Sequence, residues 1–385
     1  MIPLSGPFIE KDDIDSVLAV LKSKRLSIGP FVEEFEKKIS DYIGLKYAVA
    51  VNSGTSALHL ILRSLDLPGK FMLVPSFTFI ASANVALFED KIPLFLDIED
   101  RTFNTSPEIL KETLKKIERG EYEYDENKVQ LEDICCFMAV DIFGHPLDWN
   151  GILEVANEYK LVVIEDSCEA LGSEYKGRKA GTFGVAGAFA FYPNKQITTG
   201  EGGIIVTNDD KIATLSKSMR NQGRGEGGEW LLHVRVGYNY RLDEMSAALG
   251  VSQMEKIDRI IDMRNEVASR YSKLLEAVDG VRPPIVEDYV TNMSWFVYVV
   301  LLDDSINRDA VMDYMNKNGI QVRNYFQPIH LQPLYREMGH REGELPVTEN
   351  ISRRTLAIPF YTDMNFEDQK IVVDTLKEAI EKVGS

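Results

Sequence analysis

Positive charge is scarce in this sequence, and cysteine is scarcer. Lysine and arginine number 43 against 60 aspartates and glutamates, a net charge of −17 over 385 residues. That deficit argues against sequence-independent binding to nucleic acid or to an anionic membrane, since both need basic surfaces. An anionic ligand stays open, because a pocket can be locally positive on an acidic protein. The three cysteines are Cys135, Cys136 and Cys168. An adjacent pair without a second Cys-x-x-Cys makes no zinc site, and all three read as reduced core residues. No apolar run reaches the roughly 18 to 20 residues of a membrane span. The first residues, Met1-Ile2-Pro3-Leu4-Ser5-Gly6-Pro7, carry neither the basic flank nor the apolar core of a secretory signal. The expectation is a cytoplasmic protein with no nucleic-acid partner and no membrane partner. There is no internal repeat and no low-complexity segment. The charged stretch 118–127 reads as a solvated loop or helix end.

What is present is a regular alternation. Apolar runs at 47–51, 71–74, 92–96, 134–140, 161–164, 185–192 and 204–206 read as short buried strands. Helical patterns lie between several of them, as at 56–65, 81–88 and 149–159. This order implies an α/β fold with a mostly parallel sheet covered on both faces. Ligands in such folds gather outside the carboxyl ends of the strands. From about Leu242 the texture changes. A long helical pattern runs to Ala277, with Met254, Ile257, Ile261, Ala268, Tyr271 and Leu275 on one stripe. Strands such as 296–302 and helices such as 308–318 and 366–383 follow. The expected division is a large domain over 1–245 and a smaller α+β domain over 246–385.

Two strand ends carry chemistry. Leu161-Val162-Val163-Ile164-Glu165-Asp166 ends an apolar run on an acid, and the run 185–192 delivers Pro193-Asn194-Lys195. A lysine amine can form a Schiff base with the aldehyde of pyridoxal 5'-phosphate (PLP). An acid can pair with the pyridine nitrogen and keep it protonated, so that the ring draws electrons. A structural surface lysine is the alternative for Lys195 taken alone. Asn52-Ser53-Gly54-Thr55 follows another strand and opens a helix, where free N–H groups favour an anion. A plain helix cap is the other reading of that turn, because Ser and Thr are favoured there anyway. Lys195 and Asp166 at neighbouring strand ends favour phosphate. No Gly-Lys-Ser/Thr follows, so the turn is not a P-loop. Phe77 and Phe79 lie just past a strand end, and one of them can stack on a flat ring. Core packing is the alternative, and Phe79 is the candidate. His145 reads as a solvent-exposed loop residue and stays outside the catalytic set. His330 is similarly ambiguous.

Taken in order, these segments resemble the DegT/DnrJ/EryC1/StrS family of PLP-dependent sugar aminotransferases. The likeness runs through Ile28-Gly29-Pro30, Phe35-Glu36, Ser53-Gly54-Thr55-Ser56-Ala57-Leu58 and Pro75-Ser76-Phe77-Thr78-Phe79. It continues in Glu165-Asp166, Tyr175-Lys176-Gly177-Arg178, Asn194-Lys195, Gly200-Glu201-Gly202-Gly203 and Gly237-Tyr238-Asn239-Tyr240-Arg241-Leu242. The resemblance implies an aspartate-aminotransferase-like (type I PLP) fold and a homodimer with shared active sites. It places Lys195 as the Schiff-base lysine, Asp166 as the partner of the pyridine nitrogen and Phe79 over the ring. Gly54 and Thr55 match the phosphate turn. Asn239 matches an asparagine that reaches the phosphate in the neighbouring subunit. Some relatives are dehydratases with histidine in place of the lysine, and Lys195 speaks against that branch.

Two positions depart from the family pattern. Ala190 stands where many relatives have a serine that bonds the phosphate. Glu169 stands where a glutamine or histidine often meets the cofactor's phenolic oxygen; here it faces that oxygen protonated, or stays ionised and turns away. With Asn194-Lys195 and Gly200-Glu201-Gly202-Gly203, Glu169 is similar to the perosamine-synthase-like branch. The implied reaction is transamination from an amino-acid donor, glutamate, to a nucleotide-linked keto-deoxyhexose at C4. The alternatives are a C3-specific sugar aminotransferase and a non-catalytic PLP or nucleotide-sugar sensor on the same scaffold. An intact Lys195 and Asp166 disfavour the sensor.

Overall fold

Seven apolar segments of four to seven residues hydrogen-bond into one sheet. In a computed structural model, which describes residues 1–124, 127–225 and 231–383, these are β1 (Tyr47–Val51), β2 (Phe71–Pro75), β3 (Ile92–Leu96), β4 (Ile134–Val140), β5 (Val163–Asp166), β6 (Ala186–Ala190) and β7 (Gly203–Thr207). The spatial order is β1-β7-β6-β5-β4-β2-β3. Pairings from β6 through β3 are parallel, and β7 runs antiparallel to both neighbours. The carboxyl ends of β1, β2, β4, β5 and β6 therefore open on one edge, where β7 begins.

Strand interiors are buried on both faces, as crossover helices require. Val49, Val51, Val74, Met138, Ile164 and Ile205 pack on one side with the helix Gly54–Leu65. Leu73, Leu94, Phe137 and Val163 pack on the other with Trp149–Tyr159. The first three helices of the chain are α1 (Lys11–Ser23), α2 (Pro30–Ile43) and α3 (Gly54–Leu65). The short helix Ala81–Phe88 is α4. A second sheet of three strands, Val281–Arg282, Tyr298–Leu302 and Thr355–Ile358, lies under Ile257–Leu275 and Phe366–Val383. The start of the chain joins this part. Ile2 N donates to Gly319 O at 2.8 Å, Gln321 N to Ile2 O at 3.0 Å and Phe360 N to Leu4 O at 2.8 Å.

Several expectations need correction. The pattern from 242 to 277 is two helices, Glu244–Met254 and Ile257–Leu275, not one. The break falls at Lys256, whose ammonium lies 2.7 Å from the buried Asp13 carboxylate on α1 and 3.2 Å from Glu10 and Asp12. The stripe is still buried throughout. The strand expected at 161–164 begins at Val163 and ends on Asp166. The charged stretch 118–127 starts as the expected helix end, Glu118 closing the helix Pro107–Glu118, but then pairs Glu123–Tyr124 with Asn127–Lys128; residues 125 and 126 lie outside the described part.

Candidate active site

The open edge of the sheet carries a cavity of about 550 Å³. Its floor is built by strand ends and its wall by loops. At one end α3 starts. Ser53 caps it, accepting a hydrogen bond from Ser56 N at 3.1 Å. The first N–H groups of the helix have no intrahelical acceptor, and together with the helix dipole they favour an anion. A Cβ on Gly54 would come 2.8 Å from Ala190 Cβ and 2.9 Å from Cys168 Sγ, so only glycine allows this close seat on β6.

At the end of β5 the alternation of the strand sends Glu165 and Asp166 to opposite faces. Glu165 is structural. It accepts from Phe183 N at 2.8 Å, Gly184 N at 3.3 Å and Ser167 Oγ at 3.0 Å, and also from Gly181 N. Burial raises its pKa. Asp166 faces the cavity. Its Oδ2 accepts from Ser82 Oγ at 2.6 Å and its Oδ1 from Cys168 N at 3.2 Å.

Lys195 lies in a loop that leaves β6 and folds back to β7. Phe191 N bonds Gly202 O at 3.0 Å, while Thr199 N and Thr198 Oγ1 both bond Phe191 O at 3.0 Å. Lys195 N bonds Tyr192 O at 2.9 Å. The lysine side chain is 11% exposed. Its Nζ is 3.6 Å from Glu169 Oε1 and 3.6 Å from the centroid of the Phe296 ring, a cation–π contact. Glu169 Oε2 accepts from Phe143 N at 2.8 Å. Burial pushes the Glu169 carboxyl above its usual range, and Lys195 pulls it back down. Asn194 Oδ1, also on the cavity wall, is buried and has no hydrogen-bond partner among the described residues.

Six of the seven expected site residues, Gly54, Thr55, Phe79, Asp166, Glu169 and Lys195, line this one cavity. Asn239 does not. It is exposed, and its carbonyl is approached by Asn52 Nδ2 at 3.5 Å. Phe79 is 59% exposed at the mouth, whereas Phe77 is buried among Phe103, Phe143 and Phe326. Cys168 is only half-buried and lines the cavity, unlike Cys135 and Cys136 in the core. His145 is not solvent-exposed: it is buried, donating Nδ1–H to Pro146 O at 2.8 Å and accepting Glu287 N–H on Nε2 at 3.2 Å. His330 is buried between Ser76 Oγ at 2.7 Å and Glu349 Oε1 at 3.1 Å. Neither lines the cavity. Sequence reasoning missed Ser82, Phe296, Tyr325 and Phe326, which complete the wall. Ser82 lies in the first turn of α4, just past the Phe77–Phe79 segment, and neither it nor the three aromatics carried a local signal. Among the described residues no group of three or more His, Cys, Asp or Glu side chains could hold a metal ion.

Residues 7–377 match the sequence profile of the DegT/DnrJ/EryC1/StrS aminotransferase family. GDP-perosamine synthase of Caulobacter vibrioides is 33% identical, with 98% of each chain covered. UDP-4-amino-4,6-dideoxy-N-acetyl-beta-L-altrosamine transaminase of Campylobacter jejuni is also 33% identical, covering 100% of this chain and 98% of its own. Among solved structures, Helicobacter pylori PseC, an aminotransferase involved in the biosynthesis of pseudoaminic acid, superposes with a TM-score of 0.88 at 26% identity, with 99% of each chain covered.

Proposed function

Because the chain belongs to the DegT/DnrJ/EryC1/StrS aminotransferase family, and is thus a PLP-dependent sugar aminotransferase, we propose that it moves the amino group of glutamate to C4 of a nucleotide-linked 4-keto-6-deoxyhexose. One observation carries the reading: a lysine amine, a strand-end carboxylate and a glycine-opened helix N-terminus face a single cavity. The cavity fits the cofactor. A phosphate needs the N–H groups at Gly54 and Thr55, a pyridinium nitrogen needs a fixed anion, and an aldehyde needs an amine. Gly54 leaves room where a Cβ would not fit, and the buried, unpartnered Asn194 Oδ1 still requires a donor. When bound, PLP supplies an electron-poor ring that makes a neighbouring C–H acidic.

The residues then divide the work. Gly54 and Thr55 hold the phosphate, Asp166 the ring nitrogen, and Phe79 covers the ring. Lys195 Nζ takes the Cα proton of the donor and, in the second half-reaction, delivers a proton at the carbon that becomes the amine-bearing carbon of the sugar. Glu169, anchored by Phe143 N–H, faces Nζ at 3.6 Å and holds it in the cavity while the amine is free. Phe296, Tyr325 and Phe326 form an apolar wall that excludes water from the proton transfers. The C4 assignment is supported by the Glu169 and Asn194-Lys195 pattern and by the 4-amino-4,6-dideoxy sugar in the name of the Campylobacter relative. Asn239 is exposed, outside its own cavity, and follows the exposed apolar Leu231, Leu232, Val234 and Val236. That supports a homodimer in which each chain's Asn239 reaches the other's phosphate.

The test is glutamate added to purified holoenzyme. Release of 2-oxoglutarate with loss of the cofactor's absorbance supports the reading, followed by amine transfer to a nucleotide 4-keto-6-deoxyhexose. Borohydride reduction should fix the cofactor on Lys195. A reduced adduct on another lysine, or no 2-oxoglutarate, rejects it.

A further inference from the structure

Asp166 is held by a chain of hydroxyl groups that the reaction itself does not use. Ser82 is 1% exposed, in the first turn of α4, and its Oγ lies 2.6 Å from Asp166 Oδ2. Ser82 Oγ is the donor in this bond, so its proton points at Asp166. The Thr78 hydroxyl is 3.2 Å from Ser82 Oγ and is 4% exposed. With its own proton committed to Asp166, Ser82 can only accept there, so Thr78 donates. The direction of the chain is thereby fixed: Thr78 to Ser82 to Asp166. The second carboxylate oxygen is held by Cys168 N at 3.2 Å. Both oxygens of Asp166 are thus oriented, one from the first turn of α4 and one from its own strand end.

We propose that Ser82, set by Thr78, is a positioning residue that fixes the Asp166 carboxylate for the ring nitrogen of the cofactor. This rests on Asp166 being the nitrogen's partner. The physical reason is geometric: a buried hydrogen bond to one carboxylate oxygen fixes the plane in which the remaining lone pairs point. Without Ser82 the carboxylate keeps one donor and turns about its Cβ–Cγ bond.

The test uses two non-covalent probes, pyridoxamine 5'-phosphate and its 1-deaza analogue, in which carbon replaces the ring nitrogen. Dissociation constants are measured by equilibrium dialysis on cofactor-free enzyme. Wild type should prefer the nitrogen-bearing probe. Ser82→Ala should shrink that preference by about ten-fold, the scale of a hydrogen bond to a charged group. Ser82→Thr, which keeps the hydroxyl, should retain it. Thr78→Val should give a smaller loss in the same direction. Equal weakening of both probes by Ser82→Ala, with the preference intact, would make Ser82 a packing residue and overturn the proposal. If Asp166→Asn then still abolished the preference, the role of Asp166 would stand without it. No preference in wild type and no change in Asp166→Asn would remove both. Should Ser82→Ala fail to fold by circular dichroism, Thr78→Val with the same probe pair decides.

Discussion

Glu169 and Lys195 face each other at 3.6 Å inside a wall that water scarcely enters. Each restrains the other. Burial raises the pKa of the carboxyl, and the Lys195 amine works against that rise. Phe143 N–H takes one carboxylate oxygen, so the group turns toward the amine and a backbone donor. A glutamine here would keep the shape and lose the charge. Glu169→Gln is therefore expected to lower the pH midpoint at which the bound cofactor's absorbance changes, because a nearby anion favours the protonated form of the linked nitrogen. Spectrophotometric pH titration of both proteins checks this. An unchanged or raised midpoint would leave Glu169 with a packing or capping role only.

At the scale of elements, the site depends on how closely α3 sits on β6. The glycine that opens α3 is within van der Waals reach of Ala190 and Cys168. Gly54→Ala adds a methyl where atoms already stand at 2.8 and 2.9 Å. Overpacking of this kind costs about 1–3 kcal/mol. We expect the dissociation constant for pyridoxamine phosphate to rise at least about ten-fold, with partial recovery in Gly54→Ala/Ala190→Gly; affinity unchanged by Gly54→Ala would show that α3 does not hold the phosphate. This seat was legible in the sequence because its parts are local: an apolar run, then Ser-Gly-Thr, then a helix. The strands at 47–51, 92–96 and 134–140 were legible for the same reason. α1 was not. It buries an acid, Asp13, against Lys256, Ser252 and Gln253, and exposes Ile14, Leu18 and Leu21, the reverse of an amphipathic helix on a core. Lys256 likewise hid the helix break. Phe296, Tyr325 and Phe326 reach Lys195 only through tertiary folding, and no periodicity in their own segments points to a cavity.

Two expectations belong to the whole molecule. First, mixing two inactive chains, Lys195→Ala and Asn239→Ala, should restore activity through one composite site per heterodimer. No recovery, despite subunit exchange verified by mass spectrometry, would place each site within one chain. Second, His145 joins separate parts of the chain, since its Nε2 receives Glu287 N–H and its ring packs on Tyr289. Burial lowers its pKa to about 4. In the unfolded chain it titrates near 6.5. Between those values the unfolded state binds more protons, so stability is full above about pH 6.5 and falls as pH drops toward 4. The contribution at stake is about 3 kcal/mol. Denaturant unfolding at pH 7.5 and pH 5 should show a steeper loss in wild type than in His145→Gln. Equal losses would mean that His145 is protonated in the native protein.

Leu4 donates its N–H to Gln321 Oε1 across 317 positions of sequence, and Ile2 exchanges backbone bonds with Gly319 and Gln321. A ribosome makes those partners late, long after the first residues have left it. While the chain emerges, the seven-stranded sheet can assemble as far as β7 with Gly54 and Asp166 already placed, yet the aromatic side of the cavity and the anchor for the first residues do not exist. The apolar edge around Lys195 waits in the open, where chaperones and proteases act on nascent chains. Any product of interrupted synthesis that stops between residues 207 and 296 would carry the lysine and the acid without the wall that keeps water from them.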